Sequence, residues 1–220
     1  MERRYRISIV KGPRRPSREQ IWGMVYESID LIGGFEEIIG DGDRVLIKPN
    51  AGSEMRWDTG AVTNPYVVEA VSEGVREAGA GEVMIGEASQ VGVDTKRVFE
   101  INGYPEVAER TGARLKDLNE DEIVEVEVEG RLLRSVRVFR SALECDAVIN
   151  VPVLKTHVLT GVTLGLKNMK GLIPADEKRR FHRLGLEGAI ADLQLAIRPK
   201  MTVVDATLAM GGLGAPIHQG

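Results

Sequence analysis

Two hydrophobic periods alternate along the chain. Short β-branched runs recur at Val45-Leu-Ile-Lys48, Val83-Met-Ile-Gly86, Ala147-Val-Ile-Asn150-Val-Pro-Val-Leu154 and Met201-Thr-Val-Val-Asp205. Such runs suit strands buried on both faces of a parallel sheet. Between them, apolar residues three and four apart mark helices: Ile21, Met24, Val25, Ile29 and Ile32; Val67, Val68, Val71 and Val75; Leu186, Ile190, Leu193 and Ile197. Strands that alternate with helices need crossover connections. The expected fold is therefore a three-layer, Rossmann-like α/β domain with a largely parallel sheet, built from strands near residues 7, 45, 83, 147 and 202.

Punctuation residues place the boundaries. Ser17 is a candidate N-cap, Gly33-Gly34 ends the first helix, and Thr63-Asn64-Pro65 opens the second, which Gly79 closes. Residues 94–111 read as one or two short helices split around Gly103-Tyr-Pro105, and a further strand is expected near Leu115–Leu118. Ile123-Val-Glu-Val-Glu-Val-Glu129 alternates apolar with acidic residues, and Ser135-Val-Arg-Val-Phe-Arg140 apolar with basic ones. These predict an antiparallel hairpin at the margin of the sheet, with one wet face and cross-strand charge pairing.

One stretch combines strand, turn and charge. Asp146 to Leu154 reads as a buried strand that Pro152 should end. Lys155-Thr-His157 follows. Leu159, Val162, Leu166, Met169 and Ile173 then step by three and four, which predicts a helix with Thr160, Thr163, Lys167 and Lys170 on one narrow polar arc. Gly161 and Gly165 in that helix would serve close approach of another backbone, and a basic tail, Lys178-Arg179-Arg180, leads to His182.

Between Lys155 and Arg183 the local charge is +5 in a chain of net −4. A solvated helix face with an exposed basic turn would account for it. The sharing of one arc by lysines and threonines, with His157 about a turn earlier, points instead to a recess for an anion.

Open α/β sheets take ligands outside the carboxyl ends of their strands. Lys48 and Asn50, Glu87 and Ser89, Lys155 and His157, and Asp205 all lie at or near expected strand ends. Lysines suit phosphate or carboxylate, His157 could titrate near neutrality, and Glu87 or Asp205 could orient a proton. The candidate catalytic set is His157, Lys155, Glu87 and Asp205. The candidate ligand-binding set is Lys48, Asn50, Asn64, Asn150, Thr160, Lys167, Asn168, Lys170, Lys178, Arg179 and His182. Three histidines without close spacing argue against a metal centre, and none is assigned.

Composition narrows the classes. With 220 residues, 43% of them hydrophobic, the chain can bury a core as a single domain, residues 1–220. Cys145 alone can support neither an intramolecular disulfide nor a cysteine-ligated iron–sulfur cluster within this chain, and the cofactor is left unknown. No stretch approaches the roughly 20 apolar residues of a membrane span, and the amino terminus has no apolar run of signal-peptide length. The expectation is a cytoplasmic protein with no membrane partner. The net charge of −4 and 5% aromatics do not fit a nucleic-acid surface, the basic amino-terminal cluster apart.

Asn150-Val-Pro-Val-Leu-Lys-Thr-His157, Gly165-Leu-Lys-Asn-Met-Lys-Gly171 and Glu177-Lys-Arg-Arg-Phe-His182 resemble the signature of the domain of unknown function 362 family, an uncharacterised α/β family. Val45-Leu-Ile-Lys-Pro-Asn50, Thr63-Asn-Pro65 and Val203-Val-Asp-Ala206 match it at their expected places. The resemblance implies that family members continue past the Met210 to Gly220 segment. The single domain would then be incomplete at its carboxyl end, with one sheet edge covered by a second copy or another partner.

Two functions compete. One is a protein, enzyme or not, that binds a small anionic, phosphate- or carboxylate-bearing metabolite. The other is a non-catalytic accessory protein docking an acidic or iron–sulfur redox partner through its basic surface. Geometry separates them, since a ligand needs converging lysines and docking needs a convex array.

Overall fold

The computed structural model describes residues 5–212. After an extended stretch, α1 (Arg18–Asp30) starts on a capping box: the Ser17 hydroxyl accepts from the Gln20 backbone N–H, and the Gln20 side-chain oxygen accepts from the Ser17 backbone N–H. It is followed by β1 (Arg44–Pro49), α2 (Pro65–Glu77) with Asn64 as its N-cap, and β2 (Glu82–Glu87). Next come α3 (Thr95–Ile101), α4 (Tyr104–Thr111), β3 (Arg114–Asp117), β4 (Ile123–Glu127), β5 (Ser135–Phe139) and α5 (Arg140–Glu144). The remainder comprises β6 (Ala147–Val151), β7 (Val153–His157), β8 (Gly161–Thr163), α6 (Gly165–Asn168), α7 (Ala175–Leu184), α8 (Leu186–Ala196), β9 (Met201–Thr202) and β10 (Asp205–Met210).

The main sheet has five strands in the order β3-β2-β1-β6-β9, and every pairing in it is parallel. Alternate residues of its central strands feed two cores. Val45, Ile47, Val83, Ile85, Ala147 and Ile149 pack with α1, α2, α3 and α4. Leu46, Met84 and Val148 pack on the other side with the β4/β5 hairpin, α7 and α8. These are the three layers expected from the alternating pattern. The hairpin forms with the expected charge complementarity, Glu125 standing opposite Arg137 in a two-stranded sheet of its own.

Five expectations change. Ile7 to Val10 is not a strand. Ile7 and Ile9 are 85% and 89% exposed, and the neighbouring sheet edge offers only the two residues of β9, too little to sustain a ladder. β3 instead forms the far edge of the sheet, beside β2.

The helix expected from Leu159 onward begins only at Gly165. Residues 153–163 form the antiparallel β7/β8 pair, in which Lys155 faces Thr163 and His157 faces Gly161. Gly161, at φ +68°, sits just after the turn with open space around it, so its role is conformational rather than close packing. The three- and four-step spacing was coincidental over this part. Leu159, Val162 and Leu166 are 57%, 48% and 55% exposed, whereas Met169 and Ile173 are fully buried. β-branched Val158 and Val162 sit comfortably beside a tight turn. After α6 the chain continues as a 3₁₀ turn over Met169–Leu172.

The strand expected over 201–206 is split, and so is the one ahead of Lys155. Both chains leave the main sheet together: β6 passes through Pro152 into β7, and β9 passes through residues 203–204 into β10. β7 and β10 then pair in parallel within a second, three-stranded sheet of order β10-β7-β8. Asp205 therefore begins a strand rather than ending one. The basic tail is likewise helical, its residues lying inside α7. The glycine-rich segment beyond Gly212 lies outside the described residues.

Candidate functional site

The parallel register of β1 and β6 places Lys48 beside Asn150, one residue before each strand ends. Both side chains leave the same face as Leu46 and Val148, and α6 with its 3₁₀ extension crosses over them. Asn168 fastens the crossing. Its Nδ2 donates to the carbonyls of Lys48 (3.1 Å) and Pro49 (3.2 Å) and to Asn150 Oδ1 (2.8 Å), while its Oδ1 accepts from Asn50 Nδ2 (2.9 Å). Asn150 Nδ2 in turn donates to the Gly165 carbonyl at 2.9 Å. A buried amide in hydrocarbon surroundings is costly unless bonded, and this one is satisfied at both ends.

Beneath this clasp lies a closed ion pair. Lys48 is fully buried, and its Nζ donates to Glu87 Oε2 at 2.7 Å and to the Pro49 carbonyl. Glu87 also accepts from the Ala51 amide at 2.9 Å. Burial pushes the Lys48 amine down and the Glu87 charge opposes that shift. Gly171 lies against the pair. A Cβ there would collide with the Glu87 carboxylate and the end of the Lys48 side chain.

Four more lysines approach from two sides. Lys155, from β7, donates to Asn50 Oδ1 (2.8 Å) and the Ala61 carbonyl (2.6 Å). Lys178, from α7, donates to the carbonyls of Ala88 (2.8 Å) and Ser89 (2.9 Å). Lys170 Nζ lies 3.0 Å from His182 Nε2. Lys167, half-buried, forms no side-chain hydrogen bond or ion pair among the described residues.

All four amines are displaced well below the ordinary lysine value. Burial is the chief cause for each. It brings Lys155 to about 8, with the Lys167 charge adding to the effect, and takes Lys167 to about 8 unaided. Lys170 falls to about 7 with help from Lys167 and Lys178; Lys178 falls to about 8 even though Glu87 opposes the shift. None of the four forms an ion pair with a carboxylate among the described residues.

His157 ends β7 facing Gly161. Its Nδ1 lies within hydrogen-bonding distance of the amides of Leu159 (3.2 Å) and Thr160 (3.3 Å) and of the Thr160 hydroxyl (3.2 Å). With Nδ1 accepting, the neutral ring carries its proton on Nε2. Burial, then the charges of Lys167, Lys170 and Lys155, press its pKa to about 4, so the ring is neutral at physiological pH. Thr160 also donates to the Val162 carbonyl and thus shapes the hairpin turn. Across β7/β8, Thr163 faces Lys155, and its buried Oγ1 has no hydrogen-bond partner among the described residues.

Lys48, Asn50, Glu87, Asn150, Asn168 and Lys155 are thus joined through one set of hydrogen bonds, with Lys178 bonded to the carbonyls just after Glu87 and Lys167, Lys170, His157 and His182 at the border. Three residues lie apart. Asp205 accepts from the Asn64 amide (2.8 Å), the Thr207 amide (2.9 Å) and the Thr207 hydroxyl (2.7 Å), tying the start of α2 to β10. Asn64 caps α2 through the Tyr66 amide. Arg179 points to solvent on α7.

Gly171 and the Ala61 carbonyl were not singled out from the sequence. The glycine that closes Asn168-Met-Lys-Gly171 was the available sign of a close approach. The carbonyl, being backbone, left none.

A separate cleft of about 1180 Å³ runs between the amino-terminal stretch, α1 and residues 199–207. It touches none of the lysines above. The lysines are the candidate site because the convergent donors and displaced amines are there. No group of three or more metal-ligating side chains occurs among the described residues, and no described helix is long and apolar enough to cross a membrane.

A family profile described as a domain of unknown function (DUF362) matches residues 45–219, a span that contains the whole lysine cluster. A thylakoid-associated protein of Synechocystis sp. is 29% identical over 196 residues, covering 86% of this chain and 59% of its own length. Among solved structures, a Thermotoga maritima protein aligns with TM-score 0.55 at 16% identity, covering 89% of this chain and 52% of that one. The lactate racemase apoprotein of Thermoanaerobacterium thermosaccharolyticum aligns equally well, TM-score 0.55 at 16% identity, over 86% of this chain and 49% of that one. At such identity the likeness is one of fold. The chain spans roughly half to three-fifths of the length of these proteins.

Proposed function

We propose that this chain, which belongs to the domain of unknown function 362 family, binds a small anionic metabolite bearing phosphate or carboxylate at its lysine cluster. One observation carries the reading: Lys155, Lys167, Lys170 and Lys178 gather in a desolvated region where none of them forms an ion pair among the described residues, and Glu87, the buried carboxylate whose charge reaches Lys155 and Lys178, is already paired with Lys48. Withdrawing several like charges from water with no counter-charge weakens a fold. A bound anion would supply the missing charge.

In this reading Lys48, Glu87 and Asn168 are scaffold, because their polar atoms are already committed to one another. Lys167 and Lys170 would reach the ligand, and His157 would offer it Nε2–H. Lys155 and Lys178, each with two protein partners, would add positive potential and one remaining N–H apiece. Convergence of the amines, rather than their spread over a convex face, supports ligand binding over the docking of an acidic partner.

The test is a thermal-shift series with inorganic phosphate, oxalate and citrate at two salt concentrations. The expected result is a rise in Tm with an anion, smaller at high salt and lost in Lys167→Ala. No anion moving the melt, or a wild-type response in Lys167→Ala, would leave docking as the better account.

A further inference from the structure

The contact between Lys170 and His182 is unlike the others in the cluster. Lys48, Lys155 and Lys178 donate to acceptors that hold an ammonium in place, a carboxylate, an amide oxygen or a backbone carbonyl. Lys170 meets an imidazole nitrogen at 3.0 Å, a partner that can take a proton as well as accept a hydrogen bond. His182 is exposed, so a proton it receives can pass to water.

Lys167 stands three residues earlier, across the junction of α6 and the 3₁₀ turn. Residues three apart on such a turn lie on the same side, with Cβ atoms about 5–6 Å apart. Two lysines so placed can address adjacent carbons of one small molecule. Lys167 has no partner among the described side chains and is free to bind an anion.

We propose that Lys170 is an amine nucleophile that forms an imine with the carbonyl carbon of a small 2-oxo acid, whose carboxylate is held by Lys167. The proposal rests on the anion-site reading and names its substrate class. The neutral Nζ of Lys170 attacks the carbonyl carbon, forming a C–N bond as the carbonyl π pair moves to oxygen. That oxygen takes up a proton from solvent while nitrogen loses one to His182, giving a carbinolamine. His182 returns its proton to the hydroxyl, which leaves as water as the nitrogen lone pair forms the C=N bond of a protonated imine, so that the one proton drawn from solvent remains as the charge of the product. No oxidant or second reactant is needed.

The surroundings favour the free amine. Facing Lys170 are Lys167 of α6, Lys178 and His182 of α7, and His157 at the end of β7, with no carboxylate among the described residues in contact. Burial and the charges of Lys167 and Lys178 bring the amine to about 7, so a large share is unprotonated at neutral pH. A lysine activated by desolvation and a neighbouring cation is an established route to Schiff-base chemistry.

The experiment is reductive trapping. The full chain is incubated with pyruvate and cyanoborohydride, its intact mass is measured, and the modified residue is located by peptide mapping. In parallel, the wild-type melt is followed with oxalate, a non-reacting anion of similar size. The expected result is a single adduct on Lys170, formed faster as pH rises from 6 to 8, absent in Lys170→Arg, and at least tenfold weaker with acetone than with pyruvate. Mapping in the wild-type chain locates the adduct even if Lys170→Arg folds poorly. An adduct scattered over surface lysines, or one that persists in Lys170→Arg, overturns the proposal. No adduct despite an oxalate-dependent rise in Tm overturns the imine and leaves the anion site standing. Neither adduct nor melt response removes both.

Discussion

Gly171 packs against the buried pair formed by Lys48 Nζ and Glu87 Oε2, 2.7 Å apart, and so admits the 3₁₀ turn that carries Lys170 directly over the ends of β1 and β2. The pair anchors the turn above it, its polar atoms being committed to each other and to the Pro49 carbonyl and Ala51 amide. A buried ion pair is seldom worth more than a well-packed apolar pair, but removing one partner leaves a bare charge. Glu87→Gln should therefore destabilise the chain by about 3–5 kcal/mol, and a Lys48→Met/Glu87→Gln double variant by markedly less. Urea denaturation of the two variants checks this, and equal losses would mean that the pair is not acting as a closed unit.

Gly171→Ala isolates the steric requirement. Gly171 has no positive φ, so backbone strain is not at issue, but the added methyl meets the Glu87 carboxylate and the Lys48 side chain. Neither can retreat without breaking the pair. A loss near or above the upper end of the about 1–3 kcal/mol typical of overpacking is expected. A variant as stable as the wild type would show that the turn can lift away from the sheet.

Lys167→Ala should separate stability from binding. The side chain has no hydrogen bond to lose among the described residues, and its burial is a cost. Truncation is expected to leave the empty protein unchanged or more stable by on the order of 0.5–1 kcal/mol, about 2–4 °C in Tm at most. The response to phosphate or oxalate should disappear. Lys155→Ala, by contrast, should lower the Tm of the empty protein, because two buried acceptors, Asn50 Oδ1 and the Ala61 carbonyl, lose their donor.

The lysines also set a pH dependence. Their amines sit near 7 to 8 in the folded chain and near the ordinary lysine value when unfolded, so between about pH 7 and 10 the unfolded chain binds more protons. Stability of the empty protein should accordingly rise with pH through that window, as far as these groups determine it. A bound anion favours the charged amines and raises their pKa values, so the stabilisation it gives should fade above about pH 8. Binding near pH 8 should be accompanied by proton uptake, measurable by calorimetry in buffers of different ionisation enthalpy.

How much of this was legible in the sequence depended on what each residue answers to. Val45-Leu-Ile and Ala147-Val-Ile announced buried parallel strands because both faces of those strands are covered, and continuous apolar runs have few other uses in a short segment. The Leu159 to Ile173 spacing misled because periodicity alone cannot tell a helix from a hairpin whose apolar residues point to solvent. Gly161 was the competing sign, since a glycine in that position supplies the turn. The split of β6 from β7 at Pro152 was half visible: the proline said where the ladder ends, but not that a second sheet begins one residue later. Lys48, Asn150, Lys155 and Asn168 could be grouped because strand ends and the following turn meet in an open α/β sheet. Asp205 shared the apparent address but not the cluster, because its carboxylate is committed to the Asn64 and Thr207 amides and the Thr207 hydroxyl, where it ties α2 to β10. Arg179 beside Lys178 shows the limit of reading a charge run, since one residue of the pair is buried against carbonyls and the other faces water.

Thr163 provides the last test. Its hydroxyl is buried opposite Lys155 with no partner among the described residues, an arrangement that costs about 1–3 kcal/mol when nothing fills it. Replacing it with Val exchanges the hydroxyl for a methyl of similar shape and removes the unsatisfied group. If the hydroxyl served the fold, Thr163→Val would be neutral or harmful in every condition. If it is held for an anion, the variant should melt higher than the wild type when empty and gain less from phosphate, so that the two melting curves converge or cross as phosphate is raised. Such a crossing is the signature of a polar group kept at the expense of stability for a ligand. Parallel curves at all phosphate concentrations would remove Thr163 from the site and leave its buried hydroxyl without a functional explanation.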